Sequence, residues 1–202
     1  MPATAVERLE CRMMLTGDFG FVLNRGAEFA DSASAVASDS KGDVFITGSF
    51  EGTVDFDPFG PKATHASLST DSEGLFAAKY DRDSHLLWVV KIYDNDGVRT
   101  SGPVARDIAV DTAGNAIVTY IVTSGPPVSN ATIVKISPSG LTLWSRTIIG
   151  ANVVGVATTP SNEIVTLGTL GAGATDVDPG AGTFTLTPPD GEDAFVEKLG
   201  PG

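Results

Sequence analysis

Cysteine is almost missing from this chain. Cys11 stands alone among 202 residues, so no disulfide can form within one molecule. The two histidines, His65 and His85, lie in no motif that pairs a thiol or hydroxyl with a base, which leaves nucleophilic catalysis without its parts. Basic residues are few, 13 Lys and Arg against 25 Asp and Glu, and the formal net charge of −12 argues against nucleic acid or anionic lipid as a partner. An acidic surface of this kind suits solubility, cations or life outside the cell. Long apolar runs are lacking too. Nothing approaches the roughly 18 residues of a membrane-spanning helix, and no apolar stretch of about 7 to 15 residues marks a classical signal peptide. Helical periodicity is also absent outside the first fifteen residues, because Gly or Pro interrupts nearly every long stretch.

Turn formers are plentiful, with 23 Gly and 12 Pro, and 42% of the residues are hydrophobic. A chain of this length buries about 70% of its unfolded surface, enough for one all-β domain with a core. Its main feature is repetition. Ala35-Val-Ala-Ser-Asp39-Ser-Lys-Gly42-Asp-Val-Phe-Ile-Thr47-Gly48 returns as Asp107-Ile-Ala-Val-Asp111-Thr-Ala-Gly114-Asn-Ala-Ile-Val-Thr119 and again as Gly155-Val-Ala-Thr-Thr159-Pro-Ser-Asn162-Glu-Ile-Val-Thr-Leu-Gly168. Each copy places two apolar runs around a polar turn and predicts a β-hairpin. The Asp carboxylates are placed to accept turn N–H groups, and Gly42, Gly114 and Asn162 supply the left-handed residue.

Every copy then continues into a third apolar segment that carries a lysine, Lys79, Lys135 or Lys198. In the first two copies a Trp follows nine residues later, at Trp88 and Trp144, opening a fourth segment. Four strands per unit is the expectation, over repeats at about 33–92, 105–148 and 153–200. The third unit has no fourth segment after Lys198. Gly17-Asp-Phe-Gly-Phe21-Val-Leu-Asn24 is the candidate to complete it from the other end of the chain.

These motifs, with Gly52-Thr-Val-Asp-Phe-Asp-Pro58 after the first hairpin, resemble the bacterial seven-bladed β-propeller repeats known as SBBP repeats. The resemblance covers roughly residues 17–200. The second copy departs from it, with Thr123-Ser-Gly-Pro-Pro-Val-Ser-Asn130 in place of the Asp-Phe-Asp-Pro loop. It implies an all-β fold of four-stranded antiparallel blades, about three here, the last completed by the N-terminal strand. It also implies a binding or scaffolding role, and it brings no catalytic residues. Propellers close with about four to eight blades, so three pose a problem that a fragment, a partial ring or a homodimer closing a six-bladed ring would each solve.

Residues 1–16 form a separate segment. Val6-Glu-Arg-Leu-Glu10-Cys-Arg-Met-Met-Leu15 resembles the Leu-Glu-x-Arg-x-Leu motif that ends the export leaders of planctomycete surface proteins, although the usual preceding basic run is absent. The competing reading is a short amphipathic cap on the repeat domain, residues 17–202. An extracellular or cell-surface location follows from the leader reading.

Two readings apply to the paired acids Asp55/Asp57 and Asp176/Asp178, each followed by Pro and in phase with the first and third hairpins. Alternate Asp residues on an extended segment point the same way and can converge on Ca²⁺, whereas Asp before Pro makes an Asx turn at a strand's end. Asp94-Asn-Asp96-Gly97 lacks the acid that an EF-hand loop needs at its end. No residue is expected to be catalytic and no organic cofactor is implied. The expected function is a non-catalytic, secreted or cell-surface repeat protein that binds an unidentified protein or carbohydrate. The alternatives are a carbohydrate-active propeller enzyme using paired carboxylates and a decayed fragment without its own function. Two acids from different repeats in one pocket would favour the enzyme.

Overall fold

A computed structural model describes residues 31–57, 67–95, 102–123, 129–173, 175–189 and 191–202. The leader-like segment with Cys11, the candidate strand at residues 17–24 and His65 lie outside the described residues. Among those described the chain is all β and every pairing is antiparallel. The first sheet holds β1 (Ser32–Ser38), β2 (Val44–Asp55), β3 (Ser67–Tyr80) and β4 (Leu86–Asp94) in that order. The second holds β5 (Val104–Val110), β6 (Ala116–Thr123), β7 (Ser129–Ile136) and β8 (Thr142–Ile149), again in chain order. The third runs β9 (Ala151–Thr158), β10 (Ile164–Leu170) and β13 (Asp193–Leu199), with a two-stranded ribbon of β11 (Thr175–Asp176) and β12 (Thr185–Leu186) inserted before β13. The strands β4 and β8 have no counterpart beside β13 among the described residues.

The turns show why the repeat folds as it does. Asp39 Oδ1 accepts the N–H groups of Lys41 and Asp43 at 2.9 and 3.0 Å while Gly42 sits at φ +83°. Asp111 does the same for Ala113 and Asn115, with Gly114 also at +83°. In the third copy the Thr159 hydroxyl accepts the Glu163 N–H at 3.1 Å and Asn162 adopts φ +64°. The geometry survives the change of letters because a hydroxyl can replace the carboxylate as acceptor, and Asn tolerates the left-handed region.

Register repeats as faithfully as the turns. Ala33 pairs with Gly48, Ala105 with Tyr120 and Val153 with Gly168, and each first strand slips by one residue next to that pair. A shared bulge fixes which side chains point to which face in all three sheets.

The sheets stack through their early strands. β1 and β2 lie against β5, and β5, β6 and β7 lie against β9. Between the first two sheets Phe45, Leu75, Trp88, Ile108, Val118 and Ile136 form one buried cluster. Ile117, Ile133 and Ile164 form another between the second and third, beside Ile121, Ile148, Val153 and Phe195. On the far face of the first sheet, the β3 and β4 side is covered by the sheet's own hairpin. After the irregularity at Glu51/Gly52 the ends of β2 and β3 fold back, placing Phe56 4.7 Å from Phe76 and its carbonyl 3.1 Å from the Tyr80 hydroxyl, which donates to it. No helix among the described residues is long and apolar enough to cross a membrane.

Candidate functional site

The recurring lysine of each third strand reaches the turn of its own first hairpin. Lys79 Nζ lies 2.9 Å from Asp43 and 3.5 Å from Asp39, all three side chains mostly buried. Lys135 lies 3.4 Å from Asp111, again in the interior. In the third copy, where Thr159 has replaced the aspartate, Lys198 pairs at 2.8 Å with Glu163 instead. These pairs tie the hairpin to the sheet and engage the recurrent acids structurally. Burial raises the Asp39 carboxyl, but the Lys41 and Asp43 N–H groups and the Lys79 ammonium outweigh it and hold the group below its ordinary value.

The paired Asp loops lie apart on the hairpin ends of the first and third sheets. Asp55 Oδ1 accepts the Asp57 N–H at 2.9 Å. Asp176 Oδ1 accepts from Asp178 at 3.1 Å and from Phe184 at 2.9 Å, and Asp178 Oδ1 accepts from Gly180 at 2.7 Å. β11 ends at Asp176, so Asp178 stands outside the extended segment that was expected to align the two. Asx turns are what these contacts build. Among the described residues no group of three or more His, Cys, Asp and Glu side chains is placed to hold a metal ion.

Trp88 packs between the first two sheets. Its ring meets Phe45 edge-on at 6.0 Å, and its N–H donates to the Pro138 carbonyl at 3.0 Å across the sheet boundary. Trp144 is half-buried, with its N–H lacking an acceptor and the Arg146 guanidinium 4.6 Å from its ring centre. His85 stays in the expected turn, 3.0 Å from Asp81 and exposed.

A cleft with chemistry of its own is a hollow of about 500 Å³ where β8, the β11–β12 ribbon and β13 meet. Arg146, Asp178, Glu197 and Lys198 line it together with Phe184 and Phe195. Glu197 Oε2 accepts from the Thr166 hydroxyl at 3.0 Å, whereas Oε1 is buried without a partner. Burial pushes the Glu197 carboxyl up, and the negative Asp178 adds to this, against the Thr166 hydrogen bond and the Arg146 charge. Two carboxyl groups therefore share a hollow, but both come from the third repeat. Glu197 went unnoticed as a site residue in the sequence, although strand alternation puts it on the same face as the buried Phe195. An acid on the apolar face of a strand was the available signal.

An all-β protein of antiparallel sheets in a repeating order is what these features define. No family model matches the chain, and no curated protein matches it either.

Proposed function

We propose that this chain is a non-catalytic repeat protein of the β-propeller type, secreted or held at the cell surface, that works as a binding or scaffolding module. The observation that carries the reading is the use of the repeated acids. Those at the first turn are locked to lysines, and those of the Asp-x-Asp-Pro loops close turns, so conserved phase within the chain is accounted for by folding alone. The ordered abutment of β1, β5 and β9 supports a propeller arrangement, in which first strands line the centre. The leader-like segment and the charge of −12 support a location outside the cell. The ligand belongs to the protein or carbohydrate class, since the surface charge disfavours polyanions.

A second reading has its own observation. The hollow with Glu197 held protonated more readily and Asp178 beside it resembles the acid pair of a glycosidase. Incubation of the full chain with a panel of polysaccharides and cell-envelope proteins separates the two. The binding reading expects retention on a ligand with no release of reducing sugar. Sugar release that disappears in Glu197→Gln would overturn it in favour of the enzyme.

A further inference from the structure

Corresponding positions in the three sheets are buried in two and open in the third, and the exception falls at opposite ends. On the face that meets a preceding sheet, Ala105, Ile108 and Ala116 of the second sheet are 4%, 4% and 0% exposed. Val153 and Ile164 of the third sheet are fully buried, and Val156 packs beside them. Their counterparts in the first sheet are Ala33, Val36 and Val44. Ala33 is exposed, Val36 is 67% exposed and Val44 is only half-buried.

On the face that meets a following sheet the pattern reverses. Thr47 and Ala77 in the first sheet, with Thr119 and Ile133 in the second, are all 0% exposed. The matching cross-strand pair of the third sheet is Leu167 and Val196, exposed by 48% and 75%. Lys198 on the same face is open, whereas Lys79 and Lys135 are covered. Among the described residues, therefore, no preceding sheet covers the β1 side of the first sheet and no following sheet covers the outer face of the third. The interface repeated twice within the chain supplies the missing partner for each.

We propose that the open face of β10 and β13, centred on Leu167 and Val196, docks onto the open β1 side of the first sheet, at Val36 and the neighbouring Val44 beside its folded-back hairpin, in a second copy of this chain. The contact is head to tail, so two copies satisfy both ends at once and bring six large sheets into a ring, a number at which propellers close. It rests on the propeller reading above and extends it by naming the two surfaces. Its chemistry is apolar, and the like charge of the two acidic chains opposes it, so association strengthens as salt screens that repulsion.

Light scattering on the full chain after size exclusion, across protein concentration and salt, tests this. The expected mass is twice that of the 20.8 kDa chain, rising in population with concentration and salt. Val196→Asp and Val36→Asp, at opposite ends, should each return single chains with unchanged circular dichroism. Leu143→Asp, which alters an exposed apolar residue of β8 outside both faces, should leave the pair intact. A wild-type chain that stays single at all concentrations overturns the proposal, as does a pair indifferent to both Asp substitutions or equally broken by Leu143→Asp. Single chains that fold and still bind a ligand would sink only the docking and leave the binding module standing.

Discussion

Lys135 on β7 and Asp111 in the β5–β6 turn form an ion pair at 3.4 Å, with their side chains only 5% and 1% exposed. Neither ion is open to water there: Lys135 also donates to the Pro201 carbonyl, and Asp111 also accepts from the Ala113 and Asn115 N–H groups. Lys135→Met leaves a buried carboxylate without its ammonium, a change that costs about 3–5 kcal/mol. Lys198→Met removes the matching pair of the third copy, where the lysine is 60% exposed. Water replaces that partner, so the loss is much the smaller of the two. Urea unfolding of both variants at the same dilute concentration checks the contrast, and equal losses would contradict it.

Those lysines also mark the boundary of what sequence reading could reach. The Asp-x-x-Gly turns, strand order and division into units follow from local chemistry, since a turn acceptor and its N–H donors are within four residues of each other. The lysine was visible as a recurring letter, but its partner is 40 residues away in the case of Asp39. Only the pairing of β2 with β3 brings them together. Letter by letter, the third copy looks eroded at Thr159. In space the clamp persists through Glu163, which stands where Asp43 stands in the first copy. The hollow around Glu197 was hidden for a similar reason, because Arg146 joins it from a different sheet.

Gly140 separates backbone strain from packing. It holds φ +85°, and a Cβ there would lie 2.9 Å from Trp88 of the neighbouring sheet. Gly114 has nearly the same φ, +83°, but its Cβ would meet Pro138 at an ordinary 3.6 Å. Gly114→Ala should cost about 1–2 kcal/mol from the left-handed conformation alone. Gly140→Ala adds the displacement of a buried indole, about 1–3 kcal/mol more. Thermal unfolding followed by Trp fluorescence measures both, and Gly140→Ala should also shift the native emission.

Stability responds to pH through two opposed groups of acids. Asp39, Asp81, Asp94 and Glu163 are all held below their ordinary values. For Asp94 and Glu163 the leading causes are their hydrogen-bonded lysines, Lys91 and Lys198. Groups lowered in the folded state contribute stability above their unfolded values, near pH 4, and lose it as pH falls through the folded ones. Glu197 is raised, chiefly by burial, so its contribution is complete below the unfolded value and is lost as pH rises through the folded value. Glu197→Gln should therefore be more stable than the wild type at neutral pH, with the difference closing below about pH 4. Unfolding midpoints collected from acid to neutral pH check this, and a difference of constant size would refute the assignment to titration.

Asp176 anchors the β11–β12 ribbon by accepting from both Asp178 and Phe184. If its work is to close that turn, Asp176→Ala should destabilise the third repeat by about 1–2 kcal/mol, as loss of a capping acceptor does. The loss should be the same in calcium and in chelator, because the backbone donors need no cation. A bound Ca²⁺ would instead raise the wild-type melting midpoint with ligand concentration, and Asp176→Ala would remove that rise. Parallel melts of wild type and Asp176→Ala in millimolar Ca²⁺ and in chelator distinguish the two. The hydrogen-bond pattern predicts four midpoints that fall into two pairs, divided by the substitution and not by the metal.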